Sequence, residues 1–116
     1  NTNEVHFAGA ASGGGTAPAA LVASFLATAI DAKPIGEALA MPRLVQPATP
    51  DVVFVESGPY AIDPAPLQQH GHQTNPVTMP SRVEALNCPN GHKNSEGCDT
   101  ATDPRGFGLA TMVGKP

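Results

Sequence analysis

The stretch EVHFAGAASGGGTAPAALVASFLATAI, residues 4–30, predicts a strand, a glycine turn and a helix in succession. Polar and apolar residues alternate over residues 4–9, which is typical of a half-buried strand. A run of small residues follows, and it can turn through backbone conformations that larger residues avoid. Thr16 is placed to cap the helix, and Pro18 falls in the first turn, where its missing N–H does no harm. Because residues 17–30 are almost entirely apolar, we expect this helix to be buried between layers.

The remainder of the chain alternates short helices with short strands. Pro34 and Pro42 flank a second helix at residues 35–40, because proline cannot continue a helix. A third helix is predicted at residues 63–70, with a glycine directly after it, and residues 44–50 form a proline-rich extended crossing. The predicted strands cover residues 51–56, 74–79, 82–86 and 108–113. This order predicts an α+β fold with mixed layers, formed by a single segment of residues 1–116.

The composition is that of a small and weakly charged piece of protein. The chain has 116 residues, enough for one small domain, and its formal net charge of −4 argues against nucleic acid as a partner. Charged residues make up 14%, below the roughly 25% of an ordinary soluble domain, which suits a subunit whose surface another chain covers. The start at Asn1 predicts a processed N-terminus. No apolar run reaches the roughly 18 residues that a membrane-spanning helix needs.

Cys88 and Cys98 enclose a short polar segment. The pair is compatible with one disulfide in an oxidising compartment, although two thiols alone do not prove it. A metal site that also uses His70, His72 and His92 is the alternative, but the spacing is not that of paired zinc ligands. We therefore favour a disulfide that closes residues 88–98 and predict no metal. No feature of the sequence predicts a nucleotide, flavin or haem cofactor.

Several short motifs follow one another at a characteristic spacing. In chain order they are Gly13-Gly14, the apolar helix, Glu37-Ala38, Pro42-Arg43, Pro50-Asp51, Val55-Glu56, Gly58 and Thr102-Asp103-Pro104-Arg105-Gly106. Each motif is weak by itself, whereas their order and spacing together are specific. Over residues 5–113 they resemble the C-terminal part of the small subunit of the γ-glutamyltransferase family.

This resemblance implies an N-terminal-nucleophile hydrolase fold, a four-layer αββα sandwich that another chain completes. Enzymes of this family cleave their own precursor, and a threonine that opens the small subunit becomes the nucleophile. That threonine lies well upstream of the matched region, so Thr2 is not its counterpart. The implied partners are other chains of the same precursor, including the one with the nucleophile, and a small-molecule amide substrate. We expect a periplasmic or extracellular location and no activity for this chain alone.

By the same resemblance, the backbone N–H groups of Gly13 and Gly14 correspond to an oxyanion hole, and Gly13, Gly14 and Gly15 to a substrate-binding turn. Acyl transfer needs such donors because negative charge develops on the carbonyl oxygen. From the residues alone, a plain strand-to-helix turn is the favoured interpretation of the three glycines, and the matched spacing to Pro42-Arg43 is what favours the oxyanion role. Gly15 and Thr16 replace the family's Ser-Arg, and residues 44–47 replace its Phe-His-His-Gln, which leaves the acyl group open. The alternative function is a non-catalytic subunit that keeps the sandwich.

Arg43 and Arg105 are the two arginines in the matched motifs. One interpretation is a clamp for a substrate carboxylate. The favoured interpretation is a buried structural ion pair, because both residues follow a proline at the end of an element. Asp103 is predicted to cap or pin the last turn.

Overall fold

The computed structural model describes residues 3–78 and 81–113. The chain divides into two compact units, one formed by residues 1–40 and 81–116 and the other by residues 41–80. The elements in chain order are β1 (Phe7–Ser12), α1 (Ala17–Ala29), α2 (Ile35–Ala40), β2 (Leu44–Val45), β3 (Val53–Glu56), α3 (Ala65–Gln69), β4 (Thr74–Val77), β5 (Arg82–Asn87) and β6 (Asp99–Thr102). The predicted α+β class is confirmed.

The first unit contains an antiparallel sheet in the order β1-β5-β6, packed against α1 and α2. β5 alternates as a half-buried strand should, because Val83 and Ala85 are buried while Arg82 and Glu84 are exposed. The core of this unit consists of Ala20, Ile35, Leu39, Val83 and Ala85.

Helix α1 packs on the sheet through its small residues. Its buried positions are Ala17, Ala20, Ser24, Ala27 and Thr28, which share one face of the helix. The opposite face carries larger apolar side chains that are exposed, namely Val22 at 55%, Leu26 at 43% and Ile30 at 73%. The sheet side of α1 thus combines small residues with Leu21, which packs on the core, and Phe25, which contacts Phe7 of β1. Within the described residues of this chain the opposite face is not covered, so burial of the helix between two layers stays a prediction for the sandwich that another chain completes.

The second unit contains a sheet in the order β2-β3-β4. β2 pairs with β3 antiparallel and β4 pairs with β3 parallel, and α3 lies between β3 and β4 in the chain. A parallel pair needs such a crossover connection. Val53 and Val55 of the central strand are buried, as expected of the most apolar strand in the sequence.

Several strand predictions differ from the structure. The strand predicted at residues 4–9 is present as β1 but lies three residues later, and the strand predicted at residues 51–56 begins at Val53. Residues 108–113 do not form a strand, although Thr102 Oγ1 donates a hydrogen bond to the carbonyl oxygen of Gly108. The last strand of the described residues is β6, which sequence analysis missed because it contains one apolar residue, Ala101. β6 forms because its backbone pairs with β5 along four residues. The strand predicted at residues 74–79 is present as β4, but Met79 lies outside the described residues.

A disulfide joins Cys88 and Cys98, as predicted. It joins the two ends of the loop between β5 and β6, so the end of β5 and the start of β6 are held close together. No helix among residues 3–78 and 81–113 combines the length and the apolar character that crossing a bilayer requires.

Candidate functional site

The turn between β1 and α1 depends on glycine. Gly13 and Gly14 both have a φ of +99°, a conformation that residues with a Cβ adopt only with strain. Gly15 has no positive φ, so its lack of a side chain is not required by the backbone. The structure thus distinguishes the first two glycines of the predicted site from the third.

The backbone donors of this turn are available to an external acceptor. Within the described part of the chain, none of Gly13, Gly14 and Gly15 donates its N–H group to a protein acceptor. A Cβ built on Gly14 would meet no described atom within 4 Å, so the space beside it is open. The turn is closed instead through a carbonyl, because Ala17 N–H donates to the oxygen of Gly14 at 3.1 Å.

Helix α1 begins directly after these donors and contributes its own field. Its N-terminal end carries a partial positive charge, and none of its first-turn residues is acidic. An anion at the glycine turn would therefore meet favourable dipoles and no local carboxylate from the helix.

Thr16 occupies the predicted N-cap position but does not act as a side-chain cap. Its backbone is already in the right-handed helical region, at φ −85° and ψ −12°, whereas a side-chain cap has an extended backbone. The Oγ1 atom is buried and has no hydrogen-bond partner among the described residues. Sequence analysis missed this hydroxyl, since its missing partner is visible only in three dimensions.

Arg105 forms a buried ion pair, as predicted. Its Nη1 atom lies 3.2 Å from Asp103 Oδ1 and donates a hydrogen bond of 2.9 Å to the carbonyl oxygen of Leu39. Asp103 accepts further hydrogen bonds from the backbone N–H groups of Val83 and Arg105. The guanidinium is engaged with protein atoms and 8% exposed, so the carboxylate-clamp interpretation is not supported for Arg105.

Arg43 lies in the second unit and is also buried. Its backbone N–H donates to Glu56 Oε2 at 3.0 Å, and the N–H of Glu56 donates to the carbonyl oxygen of Arg43. These reciprocal bonds join the Pro-Arg and Val-Glu motifs and account for the Glu56 carboxylate, whereas Arg43 contributes only backbone atoms to them. Their role in this structure is to hold neighbouring backbone segments.

Two of the three histidines considered as metal donors, His70 and His92, have side-chain contacts within the protein. His70 Nδ1 lies 2.8 Å from the carbonyl oxygen of Pro66, and His92 Nδ1 accepts the N–H of Val5 at 2.9 Å. Cys88 and Cys98 are joined to each other. Among the described residues, no group of three or more histidine, cysteine, aspartate or glutamate side chains is placed to hold a metal ion.

No protein-family model matches the sequence, and no curated protein does. Solved structures match it closely in fold. The γ-glutamyltranspeptidase of Pseudomonas nitroreducens in complex with L-DON matches with a TM-score of 0.81 and 19% identity, over 98% of this chain and 58% of that chain. The γ-glutamyltranspeptidase of Helicobacter pylori matches with a TM-score of 0.73 and 19% identity, over 91% and 57% of the two chains. The Bacillus anthracis transpeptidase enzyme CapD matches with a TM-score of 0.68 and 13% identity, over 92% and 63%.

These matches confirm the resemblance at the level of the fold. The chain has the fold of part of a γ-glutamyltranspeptidase structure, as the order of the sequence motifs predicted. It spans slightly less than three fifths of the length of the first structures that it matches.

Proposed function

We propose that this chain is one part of a γ-glutamyltransferase-like amidohydrolase or acyltransferase, with an N-terminal threonine on another chain of the same precursor as its nucleophile. The fold likeness supports the class of enzyme. One observation supports the role of this chain: two consecutive glycines with positive φ present unpaired N–H groups beside the start of α1.

In the proposed reaction, the threonine hydroxyl of the partner chain attacks the carbonyl carbon of the amide substrate. The carbonyl oxygen becomes an oxyanion and accepts hydrogen bonds from the N–H groups of Gly13 and Gly14. The C–N bond then breaks, the amine leaves with a proton, and an acyl ester remains on the threonine. Water or a second amine attacks this ester and releases the acyl group.

The chain itself supplies three features to this reaction. The backbone conformation of Gly13 and Gly14 fixes the two donors before substrate arrives, and the helix start adds a favourable field. The buried pair of Arg105 and Asp103 holds β5, β6 and the end of α2 together. We also propose an extracytoplasmic location, because the disulfide is stable in an oxidising compartment.

The first experiment tests the composite enzyme. The complete protein is purified without dissociation, and intact masses and N-terminal sequences of its chains are measured. The proposal expects a companion chain that begins with threonine and release of p-nitroaniline from γ-glutamyl-p-nitroanilide or a related amide. A companion that begins with an inert residue, or no companion at all, would contradict it and favour the non-catalytic alternative.

The second experiment tests the glycine donors. Gly14→Ala in the complete protein keeps the backbone N–H but adds a Cβ at a φ of +99°, so the turn must shift and displace the donor. We expect kcat to fall by roughly 100-fold to 1,000-fold, the usual cost of losing an oxyanion donor. Gly36→Ala is the matched control, because Gly36 lies in α2 outside the proposed substrate-binding turn, has no positive φ and has open space beside it. Circular dichroism of both variants establishes that they fold. Equal activity of the two variants would contradict the oxyanion role and leave Gly13 and Gly14 as a strand-to-helix turn.

A further inference from the structure

A pocket lies in the first unit at the end remote from the glycine turn. Its volume is about 330 Å³, at the lower end of the roughly 300–1,000 Å³ of small-molecule sites. The first residue of β1 and the last residues of α1 line it, whereas the glycine turn joins the other ends of these elements. Because a strand of this length spans about 20 Å, the pocket is separate from the proposed oxyanion hole.

One wall of the pocket is aromatic. Phe7 of β1 and Phe25 of α1 meet edge to face, with ring centroids 5.2 Å apart and an interplanar angle of 67°. Pro89 and Ala29 extend this apolar surface. Phe25 is 42% exposed, so the wall is accessible to a ligand.

Two of the polar residues that line the pocket, Lys33 and Asn87, have side-chain donors without acceptors among the described residues, whereas Thr28 donates to the carbonyl oxygen of Phe25. Across residues 3–78 and 81–113, neither the Lys33 ammonium nor the Asn87 carboxamide has a side-chain hydrogen bond or an ion pair. His6 also lines the pocket, and its Nδ1 atom lies 3.2 Å from the carbonyl oxygen of Pro89. A carbonyl oxygen only accepts, so Nδ1 carries the proton in this contact. None of the described residues that line the pocket is acidic.

We propose that this pocket binds a small monocarboxylate that carries an aromatic or branched apolar group. The ammonium of Lys33 and the amide N–H of Asn87 hold the carboxylate, and the apolar group lies against Phe7 and Phe25. The pocket offers one half-buried cation and one neutral donor beside an apolar wall, which suits a single carboxylate attached to an apolar group. A polyanion would require several cations. The proposal does not rest on the acyl-transfer function.

The test uses 3-phenylpropionate as the probe and the complete protein in buffered solution at pH 7. Titration should shift the backbone amide resonances of Phe7, Lys33 and Asn87, and calorimetry should give saturable binding at one site. The neutral analogue 3-phenylpropionamide should bind at least fivefold more weakly, because it offers Lys33 no charge. Acetate should also bind more weakly, because it has no group to place against the phenylalanines.

Two variants separate the pocket from general charge effects. Lys33→Met keeps the length of the side chain, removes its charge and should weaken binding of 3-phenylpropionate at least fivefold. Lys93→Met is the control, because Lys93 lies outside the pocket and its ammonium is 3.5 Å from Glu4 Oε1. Asn87→Asp adds a negative charge to the pocket and should abolish binding. No saturable binding, equal affinities for the acid and its amide, or a Lys33→Met protein that binds like the control would each overturn the proposal.

Discussion

Asp103 shows how one side chain can fix several backbone segments. Its carboxylate is 0% exposed, and it accepts N–H groups from Val83 and Arg105 while it pairs with the Arg105 guanidinium. Arg105 in turn donates to the carbonyl of Leu39, near the C-terminal end of α2, where a cation is favoured. The Asp-Pro-Arg motif is thus explained by structure without reference to substrate.

We predict that Asp103→Asn destabilises the chain by about 3 kcal/mol, because breaking a buried ion pair leaves the arginine without its counter-charge. In addition, the NH2 group of the asparagine side chain is a donor and faces backbone N–H groups that donate to the carboxylate in the native protein. Urea denaturation followed by circular dichroism measures the change. Asp31→Asn, at an exposed position, is the control and should change the free energy of unfolding by less than about 0.5 kcal/mol. Similar changes in the two variants would show that Asp103 does not hold these segments.

At the scale of elements, the disulfide-closed loop holds the segment before β1. Val5 and His92 exchange two hydrogen bonds of 2.9 Å, through Val5 N–H to Nδ1 and through the His92 N–H to the Val5 carbonyl oxygen. The N–H of Cys88 donates to the carbonyl oxygen of His6 at 2.7 Å. Hydrogen bonds between the segment before β1 and the loop after β5 therefore extend the pairing of the two strands, because the loop folds back toward Val5.

We predict that the double variant Cys88→Ser and Cys98→Ser loses about 2–3 kcal/mol of stability, the usual effect of opening a loop of this length. Hydrogen exchange should then increase at the amides of Val5, Cys88 and His92. The amides of β3 provide an internal control, because β3 belongs to the other unit. Unchanged exchange at Val5 and His92 would mean that the loop keeps its position without the crosslink.

The sequence predicts the elements well where local chemistry determines them. The helix at residues 35–40 has the predicted bounds, and α1 ends one residue earlier than expected, since prolines, glycines and apolar runs act locally. β6 was missed because its residues form a strand only through pairing with β5. The same reason applies to the pocket, where Phe7 lies opposite Asn87 in the sheet register although 80 positions separate them in the chain.

The candidate site was predictable in part. The spacing from Gly13 to Arg43 and the terminal motif indicated the fold, and the glycine turn has a backbone that only glycine adopts without strain. The sequence could not show that Thr16 leaves its hydroxyl buried without a partner, because capping depends on backbone angles. It also could not distinguish Gly15 from its neighbours, since three identical residues give no local signal about φ.

At the scale of the whole molecule, the outer face of α1 carries three large apolar side chains that are exposed in this chain. Val22, Leu26 and Ile30 are spaced four residues apart and therefore form a stripe along the helix. Charged residues make up 14% of the chain, so few repulsive groups oppose contact between such surfaces.

We therefore predict that the chain of 116 residues, produced by itself, associates as its concentration rises. Replacing Val22, Leu26 and Ile30 with lysine should remove this association, because lysine keeps the helix and interrupts the stripe. The control replaces three exposed polar residues, Gln69, Asn75 and Ser95, with lysine, which changes the net charge by the same amount. Sedimentation velocity over a hundredfold concentration range compares the three proteins. A monomer at every concentration, or equal loss of association in the control, would show that the stripe does not cause it.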